Sequence, residues 1–213
     1  MTKKILPEKT IERLSEYRRT LLRKLSEGVT HIHSHSLASV HGITAVQVRR
    51  DLMLIGFSSD NKKGYNVSEL IDFISSILDS ENVAGVAVIG MGKLATAITS
   101  YFNGKRSKMR IVAAFDNDPS KIGANIASIP VYPMESFSTE CARLGIRIAL
   151  LTLPAKALDT IGAMIDQSPI RGVLNFTSKP FTPAEGSQIY VEDYDIITLL
   201  EKVAYFTKDD NLP

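Results

Sequence analysis

The sequence predicts an α/β protein of two units, a small helical unit followed by a doubly wound parallel sheet. Three observations carry that prediction. Charge is split unevenly: residues 1 to 78 hold 12 Lys and Arg against 8 Asp and Glu, and the rest hold 13 against 15, so the parts are +4 and −2. The first part shows helical spacing of its apolar residues, with recognisable start and stop signals. From Val86 onward, short apolar runs alternate with helical stretches, the pattern of parallel strands with crossover helices.

Composition excludes several classes. With 44% hydrophobic and 23% charged residues the chain is globular rather than disordered, and a single cysteine, Cys141, rules out a disulfide framework. No run of about 18 apolar residues exists, and no apolar stretch follows Lys3 and Lys4 to form a leader. A cytoplasmic protein without a membrane segment is expected.

In the first unit, Thr10 is placed to cap a helix whose apolar positions are Ile11, Leu14, Tyr17, Leu21 and Leu25, with Gly28 as its stop. Arg19 projects away from that stripe. Ser34 to Val40 is a short helix with Leu37 and Val40 inward, broken at His41-Gly42. Thr44-Ala45-Val46-Gln47 then has the capping-box pattern, in which Thr44 bonds the backbone three residues on and Gln47 reaches back. The helix it opens ends near Gly56 and buries Ala45, Val48, Leu52 and Ile55.

The opposite side of this third helix carries Val46, Gln47, Arg50, Met53 and Leu54, with Arg49 on its flank. Base edges in a major groove call for such a mixture: Arg for guanine, Gln for adenine, and apolar atoms for thymine methyls. Two short helices joined at a glycine form a helix-turn-helix. Phe57 to Val67 is expected to be a β-hairpin with Lys62 and Lys63 near its tip, a basic wing. The candidate DNA-contacting residues are Ser34, Ser36, Thr44, Gln47, Arg49, Arg50, Lys62, Lys63, Gly64 and Tyr65, and the partner is double-stranded operator DNA. A helical dimerisation or substrate-binding module is the alternative for this unit. His31, His33 and His35 alternate without a nearby Cys or carboxylate cluster, and no metal site is expected.

Ser68 to Leu78 is a further helix, and the polar Asp79-Ser80-Glu81-Asn82 marks a boundary, giving units 1 to 79 and 80 to 194 with a helix in 195 to 213. In the second unit Val86-Ala87-Val88-Ile89 leads directly into Gly90-Met91-Gly92-Lys93-Leu94-Ala95, a Gly-x-Gly-x-x-Ala turn opening a helix. Gly90 serves the tight turn, Gly92 lets backbone approach a pyrophosphate, and Ala95 allows close packing of helix on strand. The anion belongs at the helix N-terminus, where unpaired N–H groups and the helix dipole favour negative charge. The strand Ile111 to Phe115 ends in Asp116, placed to accept both ribose hydroxyls and so to favour NAD(H) over NADP(H). Other strands are expected at Ile129 to Tyr132, Ile148 to Leu153 and Val173 to Phe176, with a helix from Pro154 to Gln167. Together these describe a Rossmann domain. A glycine turn binding no nucleotide is the alternative.

A dehydrogenase needs an acid or base near the nicotinamide. No histidine follows His41, and neither Lys156 nor Lys179 has a supporting constellation, so no catalytic residue is assigned and the nucleotide reads as a signal. The runner-up is a small NAD(H)-dependent oxidoreductase with an N-terminal dimerisation domain.

Several short patterns occur in order: Arg13-Leu14-x-x-Tyr17-x-Arg19-x-Leu21, Gln47-Val48-Arg49-Arg50-Asp51-Leu52, Gly64-Tyr65-x-Val67, Gly90-Met91-Gly92-x-Leu94, Phe115-Asp116-x-Asp118-Pro119-x-Lys121-x-Gly123 and Asn175-Phe176. Over nearly the whole chain they resemble the Rex family of redox-sensing transcriptional repressors. The resemblance implies a homodimer whose winged helices grip a palindromic operator, and whose Rossmann domains read NADH against NAD⁺, NADH releasing the DNA. It implies a C-terminal helix, here about Ile196 to Phe206, exchanged between subunits. It also implies a switch whose matching residues are Arg19, Tyr101 and Asp195. With Tyr101, the cofactor-binding candidates are Gly90, Met91, Gly92, Lys93, Leu94, Ala95 and Asp116. Departures from the family pattern are Ala95 for a third glycine, Asn61-Lys62 where Arg-Gly is usual, and Thr177-Ser178 where Ala-Pro is usual.

Overall fold

A computed structural model describes residues 6–58, 63–79, 83–102 and 108–208. The chain divides into two compact units between Glu81 and Asn82. In the first, α1 (Glu8–Ser26) precedes β1 (His31–Ile32), α2 (Ser34–Val40), α3 (Ala45–Leu54), β2 (Tyr65–Asn66) and α4 (Val67–Leu78).

Leu14, Tyr17 and Leu21 of α1 are fully buried together with Leu37, Val48, Leu52, Leu70 and Ile74. Ile11 and Leu25, expected on the same stripe, are exposed, as is Val40 of α2, whose inward position is taken by Ala38. The helix starts one turn earlier than expected. Pro7 stands at its N-cap without a side-chain bond, so Thr10 lies inside the first turn, buried, where its hydroxyl accepts from Arg13. Gly28 ends α1 at φ +81°, with Gly28 N–H donating to Leu25 and Val29 N–H to Lys24. This Schellman arrangement satisfies carbonyls that the helix end leaves without partners. At Gly42, φ +61°, the longer-spanning of these two bonds recurs, Ile43 N–H donating to Ala38, where α2 turns into α3.

Thr44 caps α3 by accepting from Gln47 N–H at 3.1 Å, but the Gln47 side chain does not reach back. It donates to Asp51 Oδ1 at 2.9 Å. Asp51, wholly buried, also accepts from Arg13 Nε at 2.6 Å, Arg13 Nη2 at 2.7 Å and the Tyr17 hydroxyl at 2.8 Å. Burial alone raises its pKa. The hydrogen bonds from Arg13, Tyr17 and Gln47 and the charge of Arg13 outweigh that, and the carboxyl ionises below its ordinary range.

Of the expected hairpin from Phe57 to Val67, residues 59 to 62 lie outside the described residues, and the described arms do not pair with each other as strands. Tyr65–Asn66 pairs antiparallel with His31–Ile32, thirty or more positions earlier, while Phe57 and Ser58 are not in a strand. Lys62 and Asn61 lie outside the described residues.

The second unit runs β3 (Ala84–Ile89), α5 (Lys93–Phe102), β4 (Met109–Asp116), β5 (Asn125–Ile126), β6 (Ile129–Pro133), α6 (Phe137–Arg143), β7 (Ile146–Leu151), α7 (Leu158–Asp166), β8 (Gly172–Asn175), β9 (Tyr190–Asp193) and α8 (Ile196–Phe206). Its sheet order is β5-β6-β4-β3-β7-β8-β9, parallel except for the β5–β6 edge. Numbered among themselves, the parallel strands stand 3-2-1-4-5-6, the Rossmann order. Alternation along β3 sends Ala87 and Ile89 into a core with Phe115, Phe137 and Ile161 on one face, and Val86 and Val88 to Ala95 and Ile111 on the other. Strands β5 and β9 escaped the sequence reading. The expected helix from Pro154 begins instead as a short turn at Ala155–Ala157 before α7.

Removing the Asp51 carboxylate leaves the Arg13 guanidinium without its partner, a loss of about 3 to 5 kcal/mol for buried pairs. Asp51→Ala should lower the urea-unfolding free energy of the first unit by that order. Because the folded carboxyl ionises below its unfolded value, its contribution is fully present above about pH 4 and fades as pH falls through the folded value. The variant should therefore show a flatter acid limb of stability than the wild type.

Candidate functional site

The strand order reverses between β3 and β7, and there the carboxyl ends of the strands open onto a cavity of about 490 Å³. Gly90 follows β3 at φ +89°. A Cβ there would lie 2.9 Å from Leu153 Cα, so this turn admits only glycine. Its N–H donates to Phe115 at 2.8 Å, and Thr152 Oγ1 donates to the Ile89 and Gly90 carbonyls. The turn is thus tied to the strands on both sides.

Gly92 differs. Nothing lies within 4 Å of its notional Cβ, so open space remains beside the backbone at the start of α5, and its carbonyl begins the helix by accepting from Thr96 N–H. Gly92 and Gly90 both line the cavity. Ala95 is fully buried against the sheet. Bare backbone facing a cavity at a helix N-terminus fits a pyrophosphate.

Asp116 lines the same cavity. Its carboxylate accepts from Met91 N–H at 2.8 Å, Asp118 N–H at 2.9 Å and Lys121 Nζ at 2.9 Å. Burial raises its pKa, and these donors together more than reverse the effect, holding it below the usual range. A carboxylate offers about four acceptor positions. Three are filled in this structure, so for Asp116 to accept both ribose hydroxyls one of these donors must give way. Lys121, which also lines the cavity, was quoted in the sequence pattern without a role. Its charge beside Asp116 weakens the rejection of a ribose phosphate on which the preference for NAD(H) rested.

Of the other candidates, Met91 contributes its N–H and is itself buried. Lys93 and Leu94 are exposed on the first turn of α5. Tyr101, near the end of that helix, is 71% exposed. None of the three side chains borders the cavity. Thr152 and Met134 do, and no local sequence signal marked them.

On the first unit, Arg49 Nη1 donates to Ser34 Oγ at 3.0 Å, bringing the start of α2 and the flank of α3 together. Arg50, Ser36 and Lys63 are exposed. So are Val46 and Met53, 63% and 70%, a degree that a core-facing residue would not show. Thr44 serves as the cap of α3, Gly64 closes on β1, and Tyr65 packs on Phe57. Gln47 donates one of its two amide N–H groups to Asp51, which leaves the second N–H and the amide oxygen, the pair that bidentate reading of adenine uses.

The first part of the chain, residues 5–52, matches the family model described as putative DNA-binding protein N-terminus. Residues 81–179 match the CoA binding domain. A curated relative, the redox-sensing transcriptional repressor Rex of Anoxybacillus flavithermus, is 32% identical over 95% of this chain and 94% of its own length. The chain belongs to the Rex family. The Rex of Leuconostoc citreum is likewise 32% identical, over 94% of this chain and 92% of its own. Among solved structures, the Rex-family repressor RSP in complex with β-NAD⁺ and operator DNA superposes with a TM-score of 0.89 at 28% identity, covering 99% of this chain and 96% of that one. RSP with β-NADH gives 0.83, with 99% and 98% covered. The Rex family comprises repressors, and no helix among the described residues of this member is long and apolar enough to cross a membrane.

The two fingerprint glycines of this Rex protein separate by experiment. Gly90→Ala forces a positive φ and a backbone clash, costing about 3 kcal/mol or more, and should lower the thermal midpoint by several degrees. Gly92→Ala meets no atom and should change stability by less than about 1 kcal/mol. Calorimetry on both variants checks the contrast.

Proposed function

We propose that this Rex-family chain is a transcriptional repressor that binds operator DNA as a homodimer in the cytoplasm, and that NADH binding at the switch-point cavity releases the DNA. One observation carries the reading: a capped helix-turn-helix with exposed arginines shares a chain with a sheet of order 3-2-1-4-5-6 whose reversal point opens beside Gly92. The chain is read as a DNA-binding part at 1 to 79, a Rossmann part at 80 to 194, and a C-terminal helix in 195 to 213.

Gly90, Gly92 and the start of α5 would hold the pyrophosphate, and Asp116 with Lys121 the adenosine ribose. The dinucleotide supplies a signal, the redox state of its nicotinamide, and no reaction. Among the described residues, Asp116 and Lys121 are the only titratable ones lining the cavity, and they bind each other. That leaves neither as a free acid or base and disfavours an oxidoreductase.

Every residue of α8 is exposed, including Ile196, Ile197, Leu199, Leu200, Val203 and Phe206. Such an apolar helix fits exchange into a second copy of the chain. Asp195 stands at its N-cap, accepting from Ile197 N–H at 3.0 Å and the Thr198 hydroxyl at 2.8 Å. Arg19 is exposed on α1. An ion pair between Arg19 and Asp195 of two subunits, with Tyr101 coupling it to the cofactor, would hold one arrangement of the dimer. To act, NADH must bind the released form more tightly than the DNA-bound form, by about 1.4 kcal/mol for each tenfold loss of DNA affinity.

The test uses a duplex selected on the protein from a random library without cofactor. Fluorescence anisotropy should show NADH weakening binding at least about tenfold while NAD⁺ does not. Absence of any duplex binding sinks the proposal. Gly92→Ala should keep DNA binding and lose the NADH response. Asp195→Asn preserves the helix cap and removes the charge. It should shrink the NADH effect on DNA more than it changes NADH affinity, and equal changes in both would refute the switch.

A further inference from the structure

We propose that His33 and His35 form a second, acid-strengthened contact to the DNA phosphate backbone, an inference that rests on the repressor reading above. Both side chains are exposed. Their rings stack with centroids 5.3 Å apart and planes only 13° from parallel. His33 stands at the N-cap of α2 without a side-chain cap bond, so its ring is not spent on the helix.

Three elements meet around this pair. The intervening Ser34 holds Arg49 of α3 at 3.0 Å. Gly64, which leads into β2, closes so tightly on β1 that a Cβ there would lie 2.6 Å from the Ile32 carbonyl oxygen and 3.1 Å from His33 Nδ1. The histidines therefore sit between the flank of α3 and Gly64. Their neighbours are residues proposed to meet DNA.

The chemistry follows from charge. Imidazole is the side chain whose charge ordinarily changes between about pH 5 and 8. Arg49, held on Ser34, adds positive charge beside them, and two stacked imidazolium rings repel each other. A phosphate placed against them offsets both repulsions, so binding DNA takes up protons and acid strengthens binding. Each phosphate neutralised also releases counterions, which raises the dependence on salt. His31, whose Nδ1 contacts the Thr30 hydroxyl, lies on β1, two residues before His33. His41 is a separate group, between Thr20 and Glu16 on α1 with Arg19 and Arg23 nearby. Since the contact is to phosphate, it carries no base information.

Anisotropy titrations of the full chain, without cofactor, are compared at about pH 6 and pH 8 over a salt series. Two duplexes serve as probes, the selected one and a scrambled one of equal length. Wild type should bind both duplexes several-fold tighter at the lower pH, with a log–log salt slope steeper by about 1 to 2. The double variant His33→Gln/His35→Gln should bind at pH 8 as wild type does and lose most of the gain at pH 6. His33→Lys/His35→Lys, charged at both pH values, should bind tightly at both and respond little to pH. A wild type that binds equally at the two pH values overturns the proposal, as does a pH response retained in the glutamine variant, which would assign it to His31 or His41. If wild type binds no duplex at either pH, the repressor reading itself has failed.

Discussion

The close approach of Gly90 to Leu153 is the constraint around which the cofactor-binding unit is arranged. Where a parallel strand must turn sharply into a helix and its neighbour across the reversal point stands only about one atom away, backbone can pass but a side chain cannot. From that pinch follow the tie of Gly90 to Phe115 and the capping of both carbonyls by Thr152. Met91 N–H is then turned toward Asp116. Gly92, two residues on, is left facing open space. One crowded position and one empty one, produced by the same turn, make a place for an anion.

The DNA-binding unit has a different anchor. A wholly buried carboxylate, Asp51, gathers donors from α1 and from its own helix. The arrangement stabilises the angle between the two helices because a guanidinium fork and a phenol must both reach one small group. It also engages one amide N–H of Gln47.

What the residues disclosed in advance was local. Thr44, Gly28 and Gly42 act within four positions of themselves, and alternation along β3 depends only on the strand's own period, so caps, turns and the Rossmann strands were legible. Errors came where a distant partner decides. The bond from Gln47 to Asp51 was hidden because Arg13 and Tyr17, which bring Asp51 into the core, lie more than thirty positions from Asp51. Tyr65 and Asn66 looked like the return arm of a hairpin, yet β1 offers them a better edge. Asp116 looked available for a ribose because the lysine five positions on, Lys121, was read as part of a pattern and not as a hydrogen-bond donor. Val40 and Ala38 exchanged places for a smaller reason: on a helix of seven residues a rotation of a fraction of a turn reassigns the buried face.

The helix α8 closes the chain with an apolar face on which none of its own residues finds cover. If α8 is exchanged into a twin, as proposed above, folding is a second-order process, and stability rises with the logarithm of protein concentration. A repressor built this way meters its own abundance. When few copies are present, dissociation would remove paired half-site recognition and the cover of α8 together, so the threshold for occupying an operator is steeper than the DNA affinity of either half alone would set.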